Sequence, residues 1–332
     1  MRRSVLLLLT TVNVLVTGGA GYLGCCLVRL LLESGHHVRV LDSLLHGGEP
    51  LLGFWHKPQF EFVFGDIRDL PTLRASLDQI DSVVHLAAIV GDPACARDPI
   101  HAREVNLDAS LALLQECCKR QIEKFVFAST CSNYGRMPGA EEYVDEQSPL
   151  SPLSVYAETK VAFEEALLTG NDNSRPAVTS LRLATLYGVS PRMRFDLTVN
   201  EFTFDMLCKG HLVVFGEQFW RPYIHVRDAA RAFCEILQAP ASQEPEVYNV
   251  GATDQNFRKS DLIEFIRPYA PNATIDVVRK AGDLRDYRVC FDKIAKRLGF
   301  RPAYSVQQGI AEVAKLVRSR VIENPAGSRF RN

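Results

Sequence analysis

The sequence predicts an α/β fold, in which a doubly wound parallel sheet is combined with a smaller C-terminal lobe. Short apolar segments alternate with helical patterns through the first half of the chain, which is typical of strands and helices that build a parallel sheet. The first of these strands runs into a glycine-rich turn and an amphipathic helix. Beyond Gly188 the alternation weakens, so residues 191–219 and 249–302 are expected to contribute most of the second lobe.

Composition limits the possible classes of protein. At 332 residues, with 47% apolar and 23% charged residues, the chain corresponds to one large globular domain or two closely joined ones. The net charge is −1 with both signs interspersed, so neither nucleic acid nor an anionic membrane is an expected partner. Nine cysteines occur without CxxC spacing. We interpret them as small core residues in a reducing compartment, and no metal site is predicted.

Residues 1–11 imitate a signal peptide, because two arginines precede a short apolar run. The run leads directly into the first strand, and cleavage near Ala20 would destroy the glycine turn. We therefore interpret these residues as an extension and expect a cytoplasmic protein. No later stretch is long enough to span a bilayer.

The first strand and its turn have the pattern of a phosphate-binding site. Residues 12–16 form a short β-branched run, as expected of a strand buried on both faces. Gly18, Gly21 and Gly24 follow, and they allow backbone N–H groups to approach a pyrophosphate at the helix N-terminus. This GxxGxxG spacing differs from the standard GxGxxG, and such a turn can also be a mere connection.

Asp42 favours the phosphate-binding interpretation. It ends a second apolar strand, residues 38–41, where a carboxylate can bind the adenosine ribose hydroxyls of a dinucleotide. The same carboxylate would repel a 2′-phosphate. The sequence therefore predicts NAD rather than NADP as the cofactor.

Two further strands end in residues that suit a dinucleotide. Residues 60–64 lead to Asp66 and Ile67, which can accept a hydrogen bond from the adenine amino group and pack on its ring. Asp66 could alternatively cap the helix that follows. Residues 82–85 lead into Leu86-Ala87-Ala88, whose small side chains would let a dinucleotide lie close to the backbone.

His85 and Asn106 are predicted to support the site rather than to react. His85 lies on the fourth apolar strand, and we interpret it as a buried, packed histidine rather than a catalyst. Asn106 lies near the start of a helix expected over residues 106–120, as a cap or as a group that buttresses the active site.

The candidate catalytic residues follow the fifth strand, residues 124–128. A cluster of hydroxyl side chains, residues 129–135, comes directly after it, where parallel sheets place their chemistry. Further on, Tyr156 and Lys160 are four residues apart and share a helix face. An ammonium near a phenol lowers its pKa from about 10, as a general base acting on an alcohol requires. A lone pair of this kind is more often an ordinary surface feature.

A polar loop at residues 169–176 is the predicted domain boundary. Residues 12–176 are assigned to a Rossmann-like NAD-binding domain, to which residues 223–248 return. Residues 177–222 and 249–320 are assigned to a substrate-binding lobe.

Taken together, these segments resemble the extended short-chain dehydrogenase/reductase family, in its nucleotide-sugar epimerase and dehydratase branch. The resemblance extends from Val12 to about Pro302. It rests on a series of motifs that occur in the family's order: residues 17–24, Asp42, residues 65–67, residues 85–88, residues 129–130, Tyr156 with Lys160, residues 221–228 and residues 282–285.

The resemblance implies roles for individual residues. Thr130 matches the Ser or Thr that binds the reacting hydroxyl, Tyr156 the general base, and Lys160 the residue that binds the nicotinamide ribose and lowers the tyrosine pKa. Arg221 and Arg285 match arginines that bind the substrate diphosphate, which suits the bidentate geometry of guanidinium. The NAD site would comprise Gly18, Gly21, Tyr22, Leu23, Asp42, Asp66, Ile67, Leu86, Ala87, Ala88, Asn106, Tyr156 and Lys160. The substrate site would comprise Thr130, Ser132, Thr185, Arg221 and Arg285.

Departures from the family pattern bear on the reaction. Cys131 and Ser132 stand where 4,6-dehydratases have an Asp-Glu pair that eliminates water, so dehydratase activity is disfavoured. Thr185 replaces the Asn usual in UDP-galactose 4-epimerases, and Val90 stands where those enzymes tend to have a Lys. A related epimerase is therefore expected rather than a plain UDP-galactose 4-epimerase.

The resemblance implies an NAD-dependent nucleotide-diphosphate-sugar epimerase that inverts C4 through a transient keto sugar, and a homodimer. The alternative with the same residues is a nucleotide-sugar 4-ketoreductase or dehydrogenase, which would consume NAD(H). A third hypothesis is a non-catalytic NAD-binding regulator. That hypothesis is disfavoured, because a regulator needs none of Thr130, Tyr156 and Lys160.

Overall fold

The computed structural model describes residues 11–136, 142–169, 176–242, 244–278 and 285–332. Its strands are β1 Asn13–Thr17, β2 His37–Asp42, β3 Phe60–Phe64, β4 Ser82–His85, β5 Lys124–Thr130, β6 Ala177–Leu183, β7 Thr185–Tyr187, β8 His211–Phe215, β9 Trp220–His225, β10 Glu246–Val250, β11 Asn256–Arg258 and β12 Thr274–Val278. Its α-helices are α1 Gly24–Glu33, α2 Leu70–Ser76, α3 Asp92–Arg97, α4 Pro99–Arg103, α5 Ala109–Lys119, α6 Val155–Leu168, α7 Thr198–Phe204, α8 Val226–Gln238, α9 Lys259–Ile266, α10 Asp292–Leu298 and α11 Val306–Ser319.

Seven parallel strands form the central sheet, in the order β10-β6-β5-β4-β1-β2-β3. β1 lies between β2 and β4, and its Val14, Leu15 and Val16 are fully buried. The chain adds β2 and β3 on one side of β1 and β4, β5 and β6 on the other. The strand order therefore reverses at β1, and parallel sheets bind ligands at the carboxyl ends of the strands beside such a reversal.

Helices cover both faces of the sheet, as the predicted doubly wound fold requires. On one face, α1 and α8 bury Leu27, Val28 and Phe233 in one hydrophobic cluster. On the other face, α5 and α6 bury Leu113 and Phe163 in a second cluster, together with side chains of β1, β4 and β5. Strands with apolar side chains on both faces need this double cover, which explains their continuous β-branched runs.

The smaller lobe contains two short sheets. β9 lies between β11, to which it is antiparallel, and β7, to which it is parallel. β8 pairs with β12 in a separate parallel pair. Val199, Leu212, Leu262 and Ile310 are buried in the core of this lobe, which also contains side chains of β9 and β7.

The predicted boundary at residue 176 is too early in the chain. Strand β6 pairs with β5 along its length and with β10, so residues 177–183 belong to the central sheet and not to the second lobe. The predicted return at residue 223 is also too early, since β9 pairs in the small sheet and α8 is the first element to come back. The polar loop that suggested the boundary connects α6 to β6, and its residues 170–175 lie outside the described residues.

The helix predicted over residues 106–120 is split. A π-helical turn, Glu104–Asp108, precedes α5 and contains Asn106. Most of the predicted N-terminal extension, residues 1–10, lies outside the described residues. Among the helices that are described, none is both long and apolar enough to cross a membrane.

Candidate active site

A cavity of about 340 Å³ runs along the carboxyl ends of β1, β2, β4 and β5. Twelve of the thirteen residues predicted to bind NAD line it: Gly18, Gly21, Tyr22, Leu23, Asp42, Asp66, Ile67, Leu86, Ala87, Ala88, Tyr156 and Lys160. Asn106 is the exception. The strand ends therefore bring the predicted cofactor residues together, since parallel strands that lie side by side end at one edge of the sheet.

The glycine turn is shaped by close backbone approaches. Gly18 has φ +76°, and a Cβ there would lie 2.7 Å from the backbone nitrogen of Ala87. A Cβ on Gly24 would collide with the carbonyl oxygen of Gly18. The turn therefore needs glycine at both positions, and it presents backbone rather than side chains to the cavity, as a pyrophosphate site requires.

Asp42 occupies the position expected of a ribose ligand. Its two carboxylate oxygens accept hydrogen bonds from the backbone N–H groups of Ala20, at 3.0 Å, and Leu44, at 2.8 Å. Burial raises the pKa of Asp42, and these hydrogen bonds oppose the rise. The carboxylate is thus held in place at the end of β2 with lone pairs left for hydroxyl donors. Together with the glycine turn, it fits the adenosine half of a dinucleotide.

Asp66 and Ile67 line the cavity at the end of β3. Asp66 forms an ion pair with Arg68, Oδ2 to Nη2 2.8 Å, which lowers the pKa of Asp66. Ile67 is 5% exposed and packs in the core below the cavity. The alternative role for Asp66 as a helix cap is wrong, because Asp69 occupies the N-cap position of α2.

His85 is a structural residue, as predicted. It is 1% exposed, its Nδ1 lies 2.7 Å from Thr17 Oγ1, and its Nε2 lies 2.8 Å from Ser110 Oγ. Burial lowers the pKa of His85 to about 3, so the ring is neutral near pH 7. It ties β1 and β4 to the neighbouring helix.

Asn106 buttresses the site from behind. Its side-chain oxygen accepts from the N–H of Ile89 at 2.8 Å, and its amide nitrogen donates to the carbonyl of the same residue at 3.0 Å. Of the two predicted roles, these contacts favour the buttress over the cap. Because Ile89 lines the cavity, Asn106 holds the loop that follows β4 in place at the cavity wall.

Helix α6 places Tyr156 and Lys160 on one face, and both line the cavity. The Lys160 Nζ donates to the carbonyl of Ala128 at 2.9 Å and lies 5.9 Å from the centroid of the Tyr156 ring. Burial lowers the pKa of Lys160 to about 8. The ammonium therefore lies near the end of β5, beside the tyrosine that it was predicted to assist.

The expected low pKa of Tyr156 is not found. Burial raises the pKa of Tyr156, and the charge of Asp92 adds to the rise. Lys160 does not offset this rise. Its ammonium hydrogen-bonds to a backbone carbonyl, and burial lowers the pKa of Lys160 itself. The residues alone therefore favour a neutral phenol at pH 7.

The predicted substrate residues lie beside the cavity rather than in its lining. Thr130 ends β5 and accepts a hydrogen bond from the N–H of Ser132 at 3.1 Å. The Ser132 hydroxyl in turn accepts from Arg285 Nη1 at 3.0 Å. Arg221, on β9, is 4% exposed, and its guanidinium lies 5.3 Å from the centroid of the Tyr287 ring. Burial raises the pKa of Tyr287, and the charges of Arg221 and Arg285 both oppose the rise.

Thr185 is less closely connected to the others. It starts β7 and pairs with Tyr223 of β9, two residues after Arg221. The other residues of the motif that contains Arg285, residues 282–284, lie outside the described residues.

Sequence reasoning missed three features of the site. Asp92 forms an ion pair with Arg285, Oδ2 to Nη2 3.1 Å. Arg192 and Arg194 line the cofactor cavity, as does Asn332. The only sequence signal for the arginines was their place shortly after strand β7, and nothing local indicated Asn332. Among the described residues, no group of three or more His, Cys, Asp or Glu side chains could hold a metal ion.

Comparison with known proteins agrees with this geometry. The model of the NAD dependent epimerase/dehydratase family matches residues 14–251. A putative UDP-glucose 4-epimerase of Methanocaldococcus jannaschii is 28% identical over 92% of this chain and 98% of its own length. An uncharacterized UDP-glucose epimerase of Bacillus subtilis, YtcB, is 30% identical over 92% of this chain and 98% of its own.

Solved structures give the same result. The structure of the UDP-glucose 4-epimerase of Thermus thermophilus in complex with NAD is similar, with a TM-score of 0.81 and 29% sequence identity. The match covers 93% of this chain and 100% of that structure's chain. A dTDP-glucose 4,6-dehydratase of Streptomyces venezuelae, DesIV, with NAD and TYD bound, has a TM-score of 0.83 at 27% identity, and covers 95% and 98%. The fold therefore occurs in both epimerases and dehydratases.

Proposed function

Because the chain belongs to the NAD-dependent epimerase/dehydratase family, we propose that it is a nucleotide-diphosphate-sugar epimerase that inverts C4 through a transient keto sugar. It is an NAD-dependent enzyme of nucleotide-sugar metabolism. The observation that most favours the proposal is the shared face of α6, on which Tyr156 and Lys160 line the same cavity as the glycine turn and Asp42.

We assign the roles of the residues from the family resemblance. Tyr156 takes the proton from the sugar hydroxyl and returns it after inversion, and Thr130 orients that hydroxyl. Lys160 is assigned to the nicotinamide ribose. Because Lys160 alone leaves the phenol neutral at pH 7, the phenolate that accepts the proton would form only with NAD⁺ bound, whose positive charge would favour it. NAD, when bound, supplies a hydride acceptor that gives the same hydride back. No cofactor is consumed in the complete cycle.

The residues after Thr130 disfavour a dehydratase. Cys131 is buried, its thiol lies 3.2 Å from the carbonyl oxygen of Arg182, and burial raises its pKa. A buried thiol with a raised pKa is a poor replacement for the acid–base pair that water elimination uses. Ser132 is held by Arg285 and has no carboxylate to offer. Epimerisation needs neither group.

The proposal is tested with pure protein and a panel of UDP-, dTDP- and GDP-sugars, each deuterated at C4, with and without added NAD(H). We expect one sugar to yield its C4 epimer without added cofactor, with the deuterium kept at C4. Tyr156→Phe is the matched inactive control. Transfer of deuterium from labelled NADH into the product would instead identify a ketoreductase. Loss of water from the sugar would identify a dehydratase.

A further inference from the structure

A loop that follows β7 is fastened to the glycine turn. The Tyr22 hydroxyl donates to the carbonyl of Gly188 at 2.6 Å. The Ser190 hydroxyl donates to the carbonyl of Tyr22 at 2.7 Å, and it lies 3.1 Å from the thiol of Cys25. Residues 188–190 therefore lie against the start of α1, where a cofactor pyrophosphate is expected. The residues that follow in this loop are therefore held in a fixed position relative to the expected pyrophosphate site.

The loop places two buried arginines in the lining of the cofactor cavity. Arg192 is 4% exposed and Arg194 is 8% exposed. Arg194 already has a carboxylate partner, because its Nε and Nη2 bind Asp196 at 2.9 and 2.7 Å. Its charge is therefore compensated within the protein.

Arg192 differs, because the described part of the chain offers it no carboxylate within ion-pair distance. Its Nη2 donates to neutral oxygens, Asn332 Oδ1 at 2.7 Å and the carbonyl of Arg331 at 3.2 Å. Its Nε is buried without a hydrogen-bond partner among the described residues. A buried guanidinium in this condition is costly unless an anion completes it.

The surroundings of Arg192 are positive as well. Burial and the neighbouring Arg194 lower the pKa of Arg192 to about 10, so it remains charged at neutral pH. Burial, together with the same two arginines, lowers the pKa of His46 to about 4. His46 also lines the cavity. Two carboxylates oppose this effect on Arg192: Asp196, which is already bound to Arg194, and to a smaller extent Asp42 at the end of β2.

We propose that Arg192, which lines the same cavity as the glycine turn, binds the pyrophosphate of NAD. The turn supplies N–H dipoles but no charge, whereas a pyrophosphate carries two negative charges. A guanidinium supplies both charge and a pair of donors. A phosphate on the adenosine ribose, as in NADP, is the other possible source of the anion. Asp42 disfavours it by repulsion, so the pyrophosphate is the better partner.

The test is calorimetric titration of NAD-free protein with NAD, ADP-ribose and adenosine. Arg192→Gln is expected to lower the affinity for NAD and for ADP-ribose about 10- to 100-fold. A loss of this size corresponds to one lost hydrogen bond of a charged group. Adenosine has no pyrophosphate, so its affinity should not change. Arg329→Gln is the matched control, because it removes the same charge from an exposed arginine that binds Glu49 outside the cavity. It should leave all three affinities unchanged.

Thermal unfolding separates ligand binding from a structural role. Arg192→Gln removes an uncompensated buried charge, so the NAD-free Tm should be unchanged or higher, while the rise in Tm caused by NAD should shrink. Arg192→Lys keeps the charge and should lose less NAD affinity than Arg192→Gln. The proposal is wrong if Arg192→Gln lowers the Tm of the NAD-free protein and also reduces the affinity for adenosine as much as the affinity for NAD. It is also wrong if the substitution lowers the affinity for NADP but not for NAD, since Arg192 would then bind the 2′-phosphate rather than the pyrophosphate.

Discussion

Arg285 and Asp92 form an ion pair, with 3.1 Å between Nη2 and Oδ2. The other oxygen of Asp92 accepts from the Ser154 hydroxyl at 2.6 Å, and Ser154 caps the N-terminus of α6. A single carboxylate thus contacts both the arginine expected to bind the diphosphate and the helix that carries Tyr156. If Arg285 binds the diphosphate as the proposed function requires, substrate competes with Asp92 for it.

Asp92→Asn should therefore tighten substrate binding. The amide keeps an oxygen for Ser154, but it no longer neutralises Arg285 and no longer repels a diphosphate. Because the pair is partly exposed, we expect an effect of about 0.5–1 kcal/mol, or a KM lowered roughly 2- to 5-fold. Steady-state kinetics on the sugar identified above measures it. Arg285→Ala is the comparison and should raise KM. If Asp92→Asn raises KM as well, the carboxylate orients Arg285 instead of competing for it.

Tyr156→Phe should reduce kcat by about 10²- to 10⁴-fold, the usual effect of removing a general acid–base group. The ring is retained, so the fold and the NAD affinity should survive, and both are measured by thermal unfolding and titration. Thr130→Val keeps the side-chain shape and should reduce kcat less than Tyr156→Phe does, since it removes only the group that orients the sugar hydroxyl. Full turnover by Tyr156→Phe would rule out the proposed mechanism.

Lys160→Met should stabilise the NAD-free protein at pH 7. Burial lowers the pKa of Lys160 from 10.5 to about 8, so the folded state carries an unfavourable charge below pH 8. Allowing for the lost hydrogen bond to Ala128, the free energy of unfolding should rise by about 1–3 kcal/mol. Denaturant unfolding at several pH values measures it.

The sign of this pH dependence follows from proton binding. Between about pH 8 and 10.5 the unfolded wild-type chain binds more protons at Lys160 than the folded protein does, so wild-type stability rises relative to Lys160→Met. The advantage of the variant should therefore shrink over this range. Lys315→Met, at an exposed position, serves as the control for the effect of the substitution itself. A constant difference from pH 7 to 10.5 would mean that Lys160 does not titrate there.

Asp42→Ala should weaken NAD binding by about 1.5–3 kcal/mol, the usual contribution of a hydrogen bond to a charged group. NADP should be affected less, because the substitution also removes a repulsion from the 2′-phosphate. The ratio of the two affinities, measured by titration, is the informative quantity. Equal or tighter binding of NADP by the unaltered protein would contradict the role assigned to Asp42.

The elements of the central sheet and the cofactor side of the site were predictable because their signals are local. Strand β3 has the predicted bounds, Phe60–Phe64. Buried parallel strands appear in a sequence as short apolar runs, and the residues that follow each run lie at one edge of the sheet. For this reason twelve of the thirteen residues predicted to bind NAD line one cavity, whereas Asn106 lies behind it.

Only the tertiary structure decided the partners of strand β6, the contacts of the site arginines and the pKa of Tyr156. Each of these features depends on segments that are distant in the chain. Strand β6 joins the central sheet through its pairing with β5 and β10, and no pattern within residues 177–183 specifies those partners. The ion pair of Asp92 with Arg285, and the presence of Arg192 and the glycine turn in one cavity, also depend on segments that are distant in the chain. The pKa of Tyr156 is the clearest case: the spacing to Lys160 predicts a lower value, but burial, which exists only in the folded protein, raises it.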